Sequence, residues 1–318
     1  MSTTSKDTDK DFSGQKLGAL DFTGKTLNGC CFAGCELSGS DFTQATLTHC
    51  DMRGCQLEDC VFDEANLCDT NFSAAQLCAA SFVRTHLSCV NMDRANLERV
   101  LLQECVLDNV SWQGVCLLQA TLIDLQNFPP FFEANLIQTQ CLNCDLTKLK
   151  ITRCIGRELY LQKCSGHAMM WEDSSLAQCS ASDGDFSESC FLRCDLTLAG
   201  FSSSKLTNCD FTGSNLSSSF FDQADLSLAH FPGVHLPMAD LRGAIGLGAD
   251  FTSANLTMAD LSHMKVEHAR FDKANLHLAN LHDVDLSHAS VAQANLKTIR
   301  PTDQARLKAE NFRIPSDV

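Results

Sequence analysis

Leucine recurs every ten residues from Leu17 to Leu117, and Phe12, Phe22, Phe32, Phe42, Met52, Phe62, Phe72 and Phe82 fall midway between these leucines. Large apolar residues therefore occupy every fifth position. The same beat resumes from Phe131 to Leu296. Two residues before each centre stands a small residue, as in Ala45, Cys50, Cys55, Thr70 and Ala75, or Ala239, Ala244 and Ala249. Between the two typically lies Asp or Asn, as in Asp21, Asp41, Asp51, Asn66, Asn71, Asn91 and Asn96.

A period of five fits neither the 3.6 of an amphipathic helix nor the alternation of a long strand. It fits a three-residue extended piece, in-out-in, followed by a two-residue corner. Coils built this way pair their backbones with the coils above and below, about 4.8 Å apart. A short fixed repeat of this kind specifies a stacked solenoid.

The units Glu64-Ala65-Asn66-Leu67, Arg94-Ala95-Asn96-Leu97, Ala254-Asn255-Leu256, Ala274-Asn275-Leu276 and Ala294-Asn295-Leu296 resemble the A(N/D)LXX signature of the pentapeptide-repeat family. That resemblance implies an all-β fold, a right-handed quadrilateral β-helix with four pentapeptides to a coil. About fourteen coils and a rod of roughly 65 to 70 Å would follow at the strand spacing. Residues twenty apart should then stack, which puts Phe131, Ile151, Trp171, Phe191, Phe211, Phe231, Phe251 and Phe271 in one column. Because the Phe/Leu alternation is itself ten residues long, the columns favour an even number of sides without selecting four.

The expected organisation is a disordered N-terminus (1–10), a first stack (11–122), a loop or kink (123–130), a second stack (131–297) and a C-terminal cap and tail (298–318). Across Ile123 to Pro130 the frame slips by one residue, and Pro129-Pro130 cannot donate to a ladder. From 147 to 184 glycine or alanine stands at the centres Gly156, Gly166 and Ala181, while Leu149, Leu159 and Met169 fill the small column, so distorted coils are expected there. Gly243-Ala-Ile-Gly246-Leu-Gly248 reads as a bulge or short loop, without the helix pattern or Lys of a phosphate loop. Thr302 to Glu310 carries an N-cap candidate and good helix formers, a helix to cover the last coil.

Of the 19 cysteines, twelve stand in the small inward column, where cysteine acts as a small buried hydrophobe. Stacked pairs such as Cys30/Cys50 are too far apart at Cβ for a disulfide, so free thiols and a reducing cytoplasm are expected, signal-less export remaining open. Cys141-Leu-Asn-Cys144 lacks a partner pair for zinc and reads as core. Among His230, His235, His263, His268, His277, His282 and His288, only His268 and His288 are set to stack on one corner. No catalytic constellation stands out, so no enzyme, cofactor or metal site is expected. No apolar run reaches membrane-spanning length.

The net charge is −15, and residues 1–130 carry −9 of it. This disfavours direct nucleic-acid binding. Two interaction readings follow. In the first, the protein is a non-catalytic scaffold or adaptor that binds a protein partner, with a homodimer allowed. Its contact surface is the basic, aromatic-bearing segment Lys148, Lys150, Arg153, Arg157, Tyr160, Lys163 and Trp171. In the second, the acidic face around Asp59, Asp63, Glu64 and Asp69 mimics DNA. The cysteine-rich texture is similar to pentapeptide proteins associated with type VI secretion, which implies the first. The acidity is similar to the quinolone-resistance pentapeptide proteins, which implies DNA gyrase as the alternative partner.

Overall fold

The computed structural model describes residues 8–311. They fall into two compact units, one ending at Ser180 and one beginning at Ala181. In each unit the pentapeptide takes the in-out-in form. Cys55 and Leu57 are wholly buried while Gln56 between them is exposed. The chain then turns at a left-handed residue two after the centre, at φ 57°, 59°, 58° and 58° for Asp59, Glu64, Asp69 and Ala74.

The chain returns to the same wall after twenty residues. Parallel bridges join Asp11 to Cys31, Thr46 to Asn66 and Gln76 to Asn96 in the first unit, and Asp240 to Asp260 and Asn255 to Asn275 in the second. Twenty residues are four pentapeptides, which settles the coil as four-sided. Hydrogen bonds run from coil to coil, as from Leu57 N–H to Gln76 O (2.7 Å), and across each corner, as from Cys60 N–H to Leu57 O (3.3 Å).

Most rungs are single bridges, and a few walls lengthen into strands. One wall of the first unit stacks β1 (Ser81–Val83), β2 (Leu101–Gln103), β3 (Thr121–Ile123), β5 (Gln140–Leu142) and β7 (Tyr160–Gln162). Another stacks β4 (Phe131–Phe132), β6 (Lys150–Thr152) and β8 (Met170–Glu172). The second unit contributes β9 (Cys190–Leu192).

The Asp or Asn of each unit has a backbone task. Its Oδ1 accepts the N–H two residues on, as Asp41 does from Thr43 (2.8 Å) and Asn71 from Ser73 (2.9 Å). This is the Asx-turn, and it explains why the repeat selects these two residue types. At three positions where serine replaces the Asx residue, Ser81, Ser111 and Ser290, an aspartate from the preceding coil takes over. Asp63 accepts from Ser81 Oγ (2.7 Å) and Val83 N–H (3.0 Å). Asp93 does the same for Ser111 and Gln113, and Asp272 for Ser290 and Ala292.

The core is a set of side-chain columns. Phe42, Phe62 and Phe82 stack at 4.9 Å in the first unit. Phe191, Phe211, Phe231, Phe251 and Phe271 stack at 4.8 to 5.1 Å in the second. Parallel rings at the strand spacing add contact beyond simple area burial.

The slip at 123–130 makes one coil nineteen residues long. Thr121 pairs with Gln140 and Cys116 with Asn135. Leu125 plugs the core, Phe128 packs on Trp112 and Phe131, and Trp112 Nε1–H donates to Pro129 O at 3.3 Å. The ladder crosses the loop, since Asp145 N–H reaches Leu125 O at 2.9 Å.

From 147 to the end of the first unit, the irregularity lies in the side chains and not in the coils. The backbone keeps its twenty-residue register, pairing Asn135, Ile155 and Ser175, and Tyr160 with Ser180. The expected distortion is absorbed by an exchange of bulk: a Cβ on Gly156 would lie 2.9 Å from Leu176 Cδ2 and 3.7 Å from Leu159 Cβ, so these leucines fill its place. The expected bulge at 243–248 is likewise absent. Gly243 and Gly248 are ordinary left-handed corners (φ 63° and 66°), and Met264 Cε fills the room beside Gly246.

The helix α1 (Gln304–Glu310) closes the described chain, with the Asp303 carboxylate as N-cap to Ala305 and Arg306 N–H. Leu281 and His282 are buried, whereas Leu286, Val291 and Leu296 of the last coil stay half-exposed. The expectations for residues 1–7 and 312–318 lie outside the described residues.

Candidate interaction surfaces

Four successive walls carry Leu146, Ile151, Gly156 and Leu161. Lys148, Arg153, Glu158 and Lys163 therefore occupy four successive corners, at φ 61°, 52°, 57° and 54°. Lys150 and Tyr160 stand on two different walls, in β6 and β7. The basic segment is thus wound around the coil and does not form one face. Arg153 pairs with Glu133 (2.8 Å) and lies 4.3 Å over the Phe132 ring. Trp171 is only 2% exposed, a core residue.

One part of the segment does assemble. A groove of about 500 Å³ is lined by Gln119, Gln138, Gln140, Glu158 and Tyr160. Its floor is a ladder in which Gln119 donates to Gln138 (2.9 Å) and Gln138 to Glu158 (2.8 Å). Arg157 closes it through Glu158 Oε1 (3.2 Å) and Gln178 Oε1 (2.9 Å). The groove presents exposed amides and a half-exposed phenol.

The four acidic candidates are also spread. Asp59, Glu64 and Asp69 sit on three successive corners. Glu64 pairs with Arg84 (2.5 Å) and accepts from Gln44 (2.8 Å), and the Arg84 hydrogen bond holds its carboxyl below the ordinary range. Asp69 lies 3.5 Å from His49, and Asp63 is spent on the Ser81 and Val83 cap.

The second unit displays a surface that the sequence analysis did not single out. Leu198, Ser218, Met238, Met258 and Leu278 follow one another along a single corner, all at φ between 56° and 60°. The first four are tied to the next coil, as Met238 N–H is to Thr257 O and Met258 N–H to His277 O. With Phe220 on the adjoining wall they form an apolar ridge, Leu198 41%, Phe220 43%, Met238 54%, Met258 49% and Leu278 37% exposed. Four steps of the ladder give it a length of about 19 Å. Its signal was legible as apolar residues twenty apart at corner positions, where Gln, Asp, Arg or Gly stand elsewhere.

Cys141 and Cys144 are buried, Cys144 Sγ facing Leu122 O at 3.5 Å, and burial pushes the Cys141 thiol well above its ordinary range. His268 and His288 do share a corner, their rings 6.4 Å apart. His263, His282 and Glu310 come together at α1, a grouping that no spacing in the repeat indicated. No helix among the described residues is long and apolar enough to cross a membrane.

A four-sided parallel solenoid of Asx-capped five-residue units defines a repeat protein that presents surfaces. The pentapeptide-repeat family profile matches eight times, over residues 11–44, 21–59, 40–76, 60–99, 194–233, 209–245, 239–263 and 265–297. The chain belongs to the pentapeptide-repeat family. Between residues 99 and 194 the profile finds nothing, although the parallel ladder, with its one nineteen-residue coil, continues through that part of the first unit. Among solved structures it is similar to HetL from the cyanobacterium Nostoc, a pentapeptide repeat protein involved in heterocyst differentiation regulation (20% identity, 93% of this chain and 91% of that one, TM-score 0.28). It is also similar to QnrB1, a plasmid-mediated fluoroquinolone resistance protein (16% identity, 61% and 97%, TM-score 0.32), and to Rfr23 from the cyanobacterium Cyanothece (15%, 52% and 91%, TM-score 0.25). No curated protein matches the chain.

Proposed function

We propose that the protein is a non-catalytic scaffold that docks a protein partner along the apolar ridge of its second unit. The observation that carries this reading is the run Leu198, Met238, Met258 and Leu278, bulky apolar side chains at exposed left-handed corners. A solvated corner favours polar residues, so solubility does not account for bulky apolar side chains recurring along one corner. Methionine and leucine on a convex edge suit a concave apolar groove, and methionine adapts to its lining. The flanking residues Thr197, Ser217, Pro237 and Thr257 are uncharged, so the partner's rim need carry no matching charge. The polar Tyr160 groove is the weaker surface, since its charged members are already paired with one another.

The test is recovery of partners from the source cells by a photo-crosslinker placed at Met258, followed by quantitative binding of the recovered protein. Met238→Glu with Met258→Glu should weaken binding more than 100-fold, and Arg157→Ala with Tyr160→Ala less than threefold. The opposite ranking would move the interface to the Tyr160 groove. Inhibition of purified DNA gyrase that survives both pairs and fails on neutralising Asp59, Asp63, Glu64 and Asp69 would establish the DNA-mimic reading instead.

A further inference from the structure

The corner where α1 meets the solenoid gathers two imidazoles and two carboxylates from separate parts of the second unit. His263 and His282 come from consecutive coils, and Glu310 comes from the last residue of α1. One ligand atom of each lies within 4.8 Å of the others. Glu310 Oε2 is 3.1 Å from His282 Nε2 and 3.5 Å from His263 Nε2.

We propose that His263, His282 and Glu310 form a binding site for a divalent transition metal of the zinc class, which fastens α1 onto the coils beneath it. Three features support it. First, the two separations from Glu310, 3.1 and 3.5 Å, lie close to the edge of a tetrahedral zinc site, about 3.3 Å for metal-ligand bonds of about 2.0 to 2.1 Å, and all three ligand atoms lie within 4.8 Å of one another. Second, two of the three outer atoms are already held as a metal site needs. Asp283 Oδ2 lies 3.1 Å from His263 Nδ1, the carboxylate-histidine pairing that orients a metal-bound imidazole, and Arg306 Nε donates to Glu310 Oε1 at 2.6 Å, which leaves Oε2 to the metal. Third, the site is reachable. The His263 and Glu310 side chains are 37% and 34% exposed, while His282 at 3% forms the floor.

The donor set of two nitrogens and one oxygen excludes magnesium and calcium, which take oxygen ligands in larger number. Glu310 and Asp283 set two negative charges beside the ion, and Arg306, paired with Glu310, offsets one of them. A proton holds the metal's place in the metal-free protein. Asp303 N–H donates to His282 Nδ1 at 3.0 Å, so the neutral ring carries its proton on Nε2 and donates it to Glu310. Metal entry moves that proton to Nδ1, surrendering the Asp303 hydrogen bond in exchange for three metal-ligand bonds.

The experiment uses the full chain, with Zn²⁺ and Co²⁺ as probes. Titration should give one ion per chain, a raised melting temperature with Zn²⁺ and none with Mg²⁺ or Ca²⁺. The Co²⁺ complex should show tetrahedral d–d bands without thiolate charge transfer, which separates this site from the cysteines. His263→Ala and Glu310→Gln should abolish the thermal shift, and Asp283→Asn should weaken binding about tenfold. Because His263 and Glu310 are partly exposed, both variants are expected to keep the far-UV spectrum of the parent. Binding that is unchanged in His263→Ala, that shows thiolate bands, or that is absent altogether would overturn the proposal. A lowered melting temperature in Glu310→Gln without any metal effect would leave a proton-bridged helix contact in its place.

Discussion

The thiol of Cys60 donates to the carbonyl oxygen of Leu37, 3.2 Å away in the coil below, and that same oxygen accepts Ser40 N–H at 3.0 Å. The relationship recurs up the small column with threonine, cysteine or serine as donor: Thr70 to Leu47 (2.6 Å), Thr85 to Phe62 (2.7 Å), Cys105 to Phe82 (2.9 Å), Cys209 to Phe186 (3.1 Å) and Ser214 to Phe191 (2.5 Å). Cysteine here is more than the small hydrophobe that its position suggests. It supplies a second hydrogen bond to a corner carbonyl, as Thr and Ser do, and this shared task accounts for their mixing with Ala in one column.

Cys60→Ala should therefore cost about 0.5 to 1.5 kcal/mol, and Cys60→Ser less than that, because the hydroxyl can serve the same carbonyl. Urea unfolding of the three proteins checks it. A serine variant less stable than the alanine variant would mean that the thiol only fills space.

Burial pushes the thiols of Cys50, Cys55, Cys60 and Cys209 up to about 12, and those of Cys105 and Cys154 to about 11. At pH 8 a maleimide should label the exposed Cys89 quickly and these six only on unfolding, since the thiolate is the reactive form. All 19 cysteines should titrate as free thiols in denaturant without reductant. Rapid native labelling of the column, or disulfides in the denatured chain, would contradict the core placement.

The sequence carries the period, the inward columns and the helix near its C-terminal end because each is a local rule repeated many times. Four-sidedness is hidden by the ten-residue alternation of Phe and Leu, and it emerges only from the Asp11 to Cys31 type of pairing. Compensations between coils are hidden for a different reason. Leu176 filling beside Gly156, and Asp63 capping Val83 when Ser81 cannot, join residues whose link exists only once the coil length is known. The apolar ridge is hidden because the corners hold many residue types, so one apolar corner carries no signal until its neighbours twenty residues away are aligned with it. Glu310 reaches His282 by the docking of α1, which no repeat period encodes.

The Asp63 cap gives a graded prediction. Asp63→Asn keeps an Oδ1 acceptor for Ser81 Oγ and Val83 N–H, so its stability should stay within about 0.5 kcal/mol of the parent, whereas Asp63→Ala should lose about 1 kcal/mol or more. Leu67→Asp, at a wholly buried centre, places an unpaired charge in the core and should unfold the neighbouring coils. Denaturant midpoints and amide exchange localised to the coils around residue 67 would check both. Equal losses for Asp63→Asn and Asp63→Ala would show that charge rather than the acceptor matters there.

Three Asx aspartates bear on the response to acid. Asp51 is held below the ordinary carboxylate range chiefly by the Arg53 side chain, Asp145 by the Thr147 side chain and N–H, and Asp185 by the Ser187 hydroxyl. A carboxyl whose folded value is depressed binds its proton more weakly folded than unfolded. Its contribution is therefore complete above the unfolded value of about 3.9 and is lost as pH falls through the folded value. The urea midpoint should be insensitive to these groups above about pH 5 and should fall steeply below about pH 4 as the Asx-turns protonate together. Asp145→Asn, which keeps the acceptor of the turn but cannot titrate, should flatten that decline without lowering the midpoint at pH 7. A midpoint that rises on acidification, or an acid limb unchanged by removing several such carboxylates, would show that the Asx hydrogen bonds do not govern the stability of the coils.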